Sequence, residues 1–83
     1  MDVTDLSAAM QLSAEQAGVF LDGLGGTVAV SRLAFTPVTT VHGWRRVGMS
    51  EARFDHVRLA ATARGKGEEL AAAMAALADG EAV

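Results

Sequence analysis

Breaks at Gly25-Gly26, Thr36-Pro37, Gly48 and Gly65-Lys66-Gly67 divide this chain into short segments, and each segment reads as a helix. Glycine takes the left-handed conformation that ends helices without steric cost, and proline fits only their first turn. Ser13-Ala14-Glu15-Gln16 is a capping-box pattern, in which Ser13 and Gln16 satisfy each other's backbone N–H groups. Ala17, Phe20, Leu21 and Leu24 follow at i, i+3, i+4 and i+7, which makes one buried stripe. Thr27 is expected to cap a second, short helix over 28–34. Thr36 is expected to cap a third, with Pro37 at its first helical position and Gly48 at its end. Ser50 caps a fourth, where Met49 and Phe54 stand as a hydrophobic staple and Phe54, Val57 and Ala61 form the inner face. Glu68-Glu69 suits the first turn of a fifth, with Leu70, Met74 and Leu77 on one face and Gly80 closing it. Val28-Ala29-Val30 is the only strand-like triplet. The expected fold class is all-α, a small bundle of four to five helices.

Eighty-three residues make one domain near the lower size limit for an unstapled apolar core. We read 1–12 as an N-terminal arm, 13–64 as the main helical unit and 65–83 as an Ala-rich C-terminal helix. The chain is 51% apolar but only 5% aromatic, so a homodimer that buries further helix faces is expected. Leu70, Met74 and Leu77 are the expected interface. No cysteine is present, which closes disulfide and thiolate chemistry. The acidic start lacks the basic region of a signal peptide, and no apolar run approaches the ~20 residues of a membrane span. A cytoplasmic, nucleoid-associated location is the expectation.

Charge is segregated. All seven Lys and Arg residues lie between Arg32 and Lys66, against only Glu51 and Asp55, so 29–66 carries a formal +5. The two flanks carry four acids each and no base. The whole-chain charge of -3 therefore conceals a basic middle, which is the electrostatic signature of nucleic-acid binding.

Within that middle, Gly25-Gly26, the small Ser31, Val41, Trp44, Arg45-Arg46 and Gly48 stand in order. This arrangement resembles the Cro-like, phage-repressor type of helix-turn-helix regulator, over a little under half the chain. The resemblance implies a DNA-binding transcriptional regulator, a repressor among the possibilities, that places its second helix in the major groove as a homodimer. The family usually has glycine where Phe35 stands and an apolar residue where Thr36 stands. Either the turn takes another conformation, or Phe35 points inward as core.

Val41 and Trp44 are three apart and can both face inward. That turns Val38, Thr39, His42, Gly43 and Arg46 outward, and these are the expected base-reading residues. Thr39 and His42 offer donors and acceptors, Val38 can meet a thymine methyl, and Arg46 can reach guanine or phosphate. Gly43 costs helix stability by about 1 kcal/mol relative to alanine, tolerable where the backbone must approach DNA or another helix. Arg32, Thr40, Arg45, Arg53, Arg58 and Lys66, with Arg64, are expected at phosphates. Arg45-Arg46 also suit a helix C-terminus, and Trp44 is core under any reading.

No catalytic constellation is present, so an enzyme is not expected. Serine lacks a nucleophile elbow, and His42 and His56 have no second ligand at metal spacing, so neither metal nor cofactor is expected. Arg64-Gly65-Lys66-Gly67 superficially resembles a phosphate loop, but Ala60 and Gly67 occupy the positions of its first glycine and its Ser or Thr. An alternative from another class is a protein-interaction module (an antitoxin, an anti-activator or a subunit of a regulatory complex). It would use the same scaffold and grip a helical partner on the Leu70/Met74/Leu77 face.

Overall fold

Ser13 Oγ accepts the Gln16 N–H at 3.1 Å, and Gln16 Oε1 accepts the Ser13 N–H at 2.9 Å. This closes the expected capping box at the head of α1 (Ala14–Gly23). Four helices follow in the computed structural model, which describes residues 11–82: α2 (Thr27–Leu33), α3 (Val38–Val47), α4 (Glu51–Ala63) and α5 (Gly67–Ala82). The protein is all-α, and no strand occurs among the described residues. One antiparallel bridge joins Leu12 to Met49 through N–H···O bonds of 2.9 and 3.0 Å. Leu12 is therefore buried core rather than part of an arm, and the rest of the expected arm, 1–10, lies outside the described residues.

The core is one cluster. Phe20 of α1 meets Phe54 of α4 edge-to-face, centroids 4.9 Å apart, amid Leu21, Val30, Val41, Val57 and Trp44. Ser50 accepts the Arg53 N–H and caps α4, and the staple residues Met49 and Phe54 are both buried. Burial of such aromatic pairs carries much of the stability of a core with few rings.

Three expected boundaries move. The N-cap of α2 is Gly26, and Thr27 is its first helical residue. Pro37, not Thr36, is the N-cap of α3, and the Thr36 side chain turns back instead, its hydroxyl donating to the Ala34 carbonyl at 3.0 Å. The α5 backbone runs past Gly80 to Ala82. A lone glycine in a helix costs only about 1 kcal/mol and does not oblige it to stop.

The fifth helix belongs to the same core. Ala73 and Leu77 are buried in it, with Leu70 and Met74 packed against it. The approach to α1 is close enough that a Cβ on Gly23 would sit 2.6 Å from the Ala73 Cα. Of the residues expected to form a dimer interface, Leu77 is thus taken up by the protomer's own core, and Leu70 and Met74 are half-buried against it. The apolar stripe was real; its partner is α1.

Candidate functional site

Three helices end in the same way. The second residue beyond each cap donates to the carbonyl of the third-last helical residue: Gly26 to Leu21, Thr36 to Ser31 and Lys66 to Ala61. The residue between needs a positive φ, which Gly25 and Gly65 supply at φ 109° and 76°. At the end of α2 that position is Phe35, at φ 50°. Phe35 is not core, since it is 81% exposed. Neither reading left open by the sequence holds: the turn keeps the glycine-like conformation, and the ring points outward. A left-handed conformation costs a non-glycine residue about 1–2 kcal/mol. The turn is over-determined enough to hold it. Ser31 Oγ donates to the Thr36 carbonyl at 2.6 Å, and the Ala34 carbonyl accepts from Thr36 Oγ1 and from His56 Nε2 at 3.3 Å. The Arg64 guanidinium covers one ring face at 4.1 Å from the centroid.

Beyond this turn α3 has two faces. Val41 and Trp44 are buried. Val38, Thr39, Thr40, His42 and Arg46 are exposed, and none makes a side-chain hydrogen bond among the described residues. The helix is thereby pinned from behind with a free outer surface. Gly43 lies half-buried beside this surface, yet a Cβ built there meets nothing within 4 Å. No neighbour within the chain requires a glycine at that place.

The basic block divides in two. Arg45 turns inward: its Nε donates to Thr27 Oγ1 at 2.8 Å and its Nη2 to Asp22 at 2.7 Å. This joins α3 to the end of α1 and the start of α2. Arg58 pairs with Asp55 at 2.9 Å and lies 5.5 Å from the Phe54 centroid. Both were expected at phosphates, and both are instead largely neutralised inside the protomer, where a nearby acid is the closest counter-charge. Arg46, in the last turn of α3, and Arg53, early in α4, remain exposed without an acidic partner among the described residues.

Arg32, Arg64 and Lys66 gather elsewhere. With Ala29 and Leu33 they line an open depression of about 380 Å³ between α2 and the α4–α5 connection. Lys66 has a loose contact with Glu69, 3.9 Å away. This corner was not legible as a unit in the sequence, because its parts come from well-separated segments. Only Lys66 and Arg64, beside Gly65, gave a local signal.

No group of three or more metal-ligating side chains occurs among the described residues, and no described helix is long and apolar enough to cross a membrane. No protein-family model matches the chain, and neither does any curated protein or solved structure.

Proposed function

We propose that the chain is a sequence-specific DNA-binding regulator of the helix-turn-helix kind, with α2 as the supporting helix and α3 as the reading helix. The observation that carries this reading is the outer face of α3. Val38, Thr39, His42 and Arg46 lie free on a helix that Val41 and Trp44 fix to the core. Such a helix fits the major groove, where its N-terminal residues address base edges. Val38 meets a thymine methyl, Thr39 and His42 exchange hydrogen bonds with bases, and Arg46 addresses guanine or phosphate. Phosphate contacts beside this face are Thr40, Arg46 and Arg53, since Arg45 and Arg58 are engaged within the fold and Arg32, Arg64 and Lys66 gather at a separate corner. A homodimer on a two-fold operator remains part of the proposal, with Leu77 excluded from its contact because the protomer core buries it.

Mobility-shift titration tests this. The protein is expected to retard duplex DNA at low salt and to lose affinity steeply as salt rises. Each neutralised phosphate adds about -0.9 to the slope of log K against log salt, so Arg46 and Arg53 give roughly -2 per protomer and about -4 for a homodimer. Arg46→Ala is expected to weaken a selected operator by about 1–3 kcal/mol. No retardation of any duplex at low salt would reject the reading and favour a protein-docking scaffold.

Gly43→Ala separates folding from binding. The added methyl has open space and improves helix propensity, so thermal stability should rise by about 0.5–1 kcal/mol. Operator affinity should fall, because the same methyl stands between the α3 backbone and the groove. Parallel melting and mobility-shift measurements check the opposite signs. A variant that is stabler and binds as before would take Gly43 off the reading surface.

A further inference from the structure

The two flanks of α2 do different things. Thr27 and Ser31, one turn apart, look towards α3: Thr27 accepts from Arg45, and Ser31 reaches across the turn to Thr36. Ala29, Arg32 and Leu33 look the other way and line the depression completed by Arg64 and Lys66. No residue of α3 contributes to that depression. Its chemistry is distinct. Arg45 and Arg58 have carboxylates at short range, whereas Arg64 rests on the Phe35 ring, which holds its guanidinium without neutralising it. Arg32 has no acidic partner among the described residues, and the Lys66 ion pair is long at 3.9 Å. Three largely uncompensated cations thus face one hollow, where their fields add and an anion would relieve their repulsion. The backbone amides of Gly65 and Lys66 already donate to Thr62 and Ala61, so recognition falls to the side chains.

We propose that this corner is a phosphate-binding site separate from the outer face of α3, suited to a compact group with several negative oxygens. Two arginines offer planar, forked donors that match phosphate oxygens, and Lys66 adds a mobile point charge. A depression of about 380 Å³ holds a diphosphate with room for part of a larger ester. The ligand is a free phosphate compound or the phosphodiester backbone of a nucleic acid; the chemistry recognised is the same. The site goes beyond the proposed DNA reading and does not depend on it.

The test uses the full chain at low ionic strength, with amide shifts followed by two-dimensional NMR during addition of sodium pyrophosphate. Saturable shifts are expected at Arg32, Arg64, Gly65 and Lys66, with a dissociation constant at or below about 1 mM. Arg32→Gln and Arg64→Gln should each weaken binding by at least about tenfold, while His42→Ala leaves it unchanged. A short random duplex then distinguishes the sources. Competition between duplex and pyrophosphate for these residues assigns the site to a nucleic-acid backbone. Duplex shifts confined to α3, with pyrophosphate still bound, assign it to a free phosphate compound. Pyrophosphate binding that survives both Arg→Gln changes, or no saturation by about 10 mM, overturns the proposal.

Discussion

Phe54→Ala is expected to remove about 3–5 kcal/mol of unfolding free energy. For a chain of 83 residues the whole is about 4–12 kcal/mol, so this one change should remove a large fraction of the stability. The ring is fully buried, meets Phe20 edge-to-face at 4.9 Å, and has the Arg58 guanidinium 5.5 Å from its centroid. Removing it takes away the transfer term, the aromatic pair and the Arg58 contact together. The Arg58 Nε, already buried without a hydrogen-bond partner, would then border a void that water enters. Urea unfolding measures the loss as a lower midpoint at unchanged slope. Phe35→Ala provides the control. That ring is 81% exposed and occupies a strained turn position, so its loss should cost less than about 1 kcal/mol. Comparable losses at the two phenylalanines would contradict the assignment of core and surface on which the α3 face depends.

What the sequence disclosed follows the range of the interaction involved. The capping box at Ser13 and Gln16, and the staple of Met49 and Phe54 around Ser50, need only neighbours a few residues apart, and both form. The same holds for Val41 and Trp44, whose spacing alone turns α3 to the core. Arg45 shows where this stops. Within a basic run it reads as one more phosphate contact, but Asp22 and Thr27 reach it only after α1, α2 and α3 have packed. The stripe of Leu70, Met74 and Leu77 reads identically whether its partner is another protomer or α1. The small pair Gly23 and Ala73 was the available clue that two helices of this chain approach closely. Phe35 broke a local rule. A hydrogen-bonded turn kept the left-handed conformation that glycine would have taken, a preference that residue statistics alone do not reveal.

Gly48→Ala should cost about 2–4 kcal/mol, from two separable sources. Gly48 has φ 92° and ψ -176°, a region that is essentially closed to residues with a side chain. Its missing Cβ also makes room for Leu12. An added methyl would run into the Leu12 carbonyl and stand 3.1 Å from the Ser13 carbonyl carbon. The Leu12 carbonyl accepts the Met49 N–H in the bridge joining the residues before α1 to the α3–α4 connection. Gly65→Ala gives a milder comparison without the clash, since Gly65 has φ 76° at a turn position like that of Phe35 and nothing within 4 Å of an added Cβ. It should cost only the backbone term, about 1–2 kcal/mol. The excess for Gly48→Ala should appear as faster amide exchange at Leu12 and Met49 before the core exchanges. Because Gly48 also ends α3, displacement there would tilt Arg46 and Arg53 apart and weaken duplex binding at temperatures where the variant is still folded. Equal losses at Gly48 and Gly65, with Leu12 and Met49 still protected, would show that the bridge does not hold the end of α3 in place.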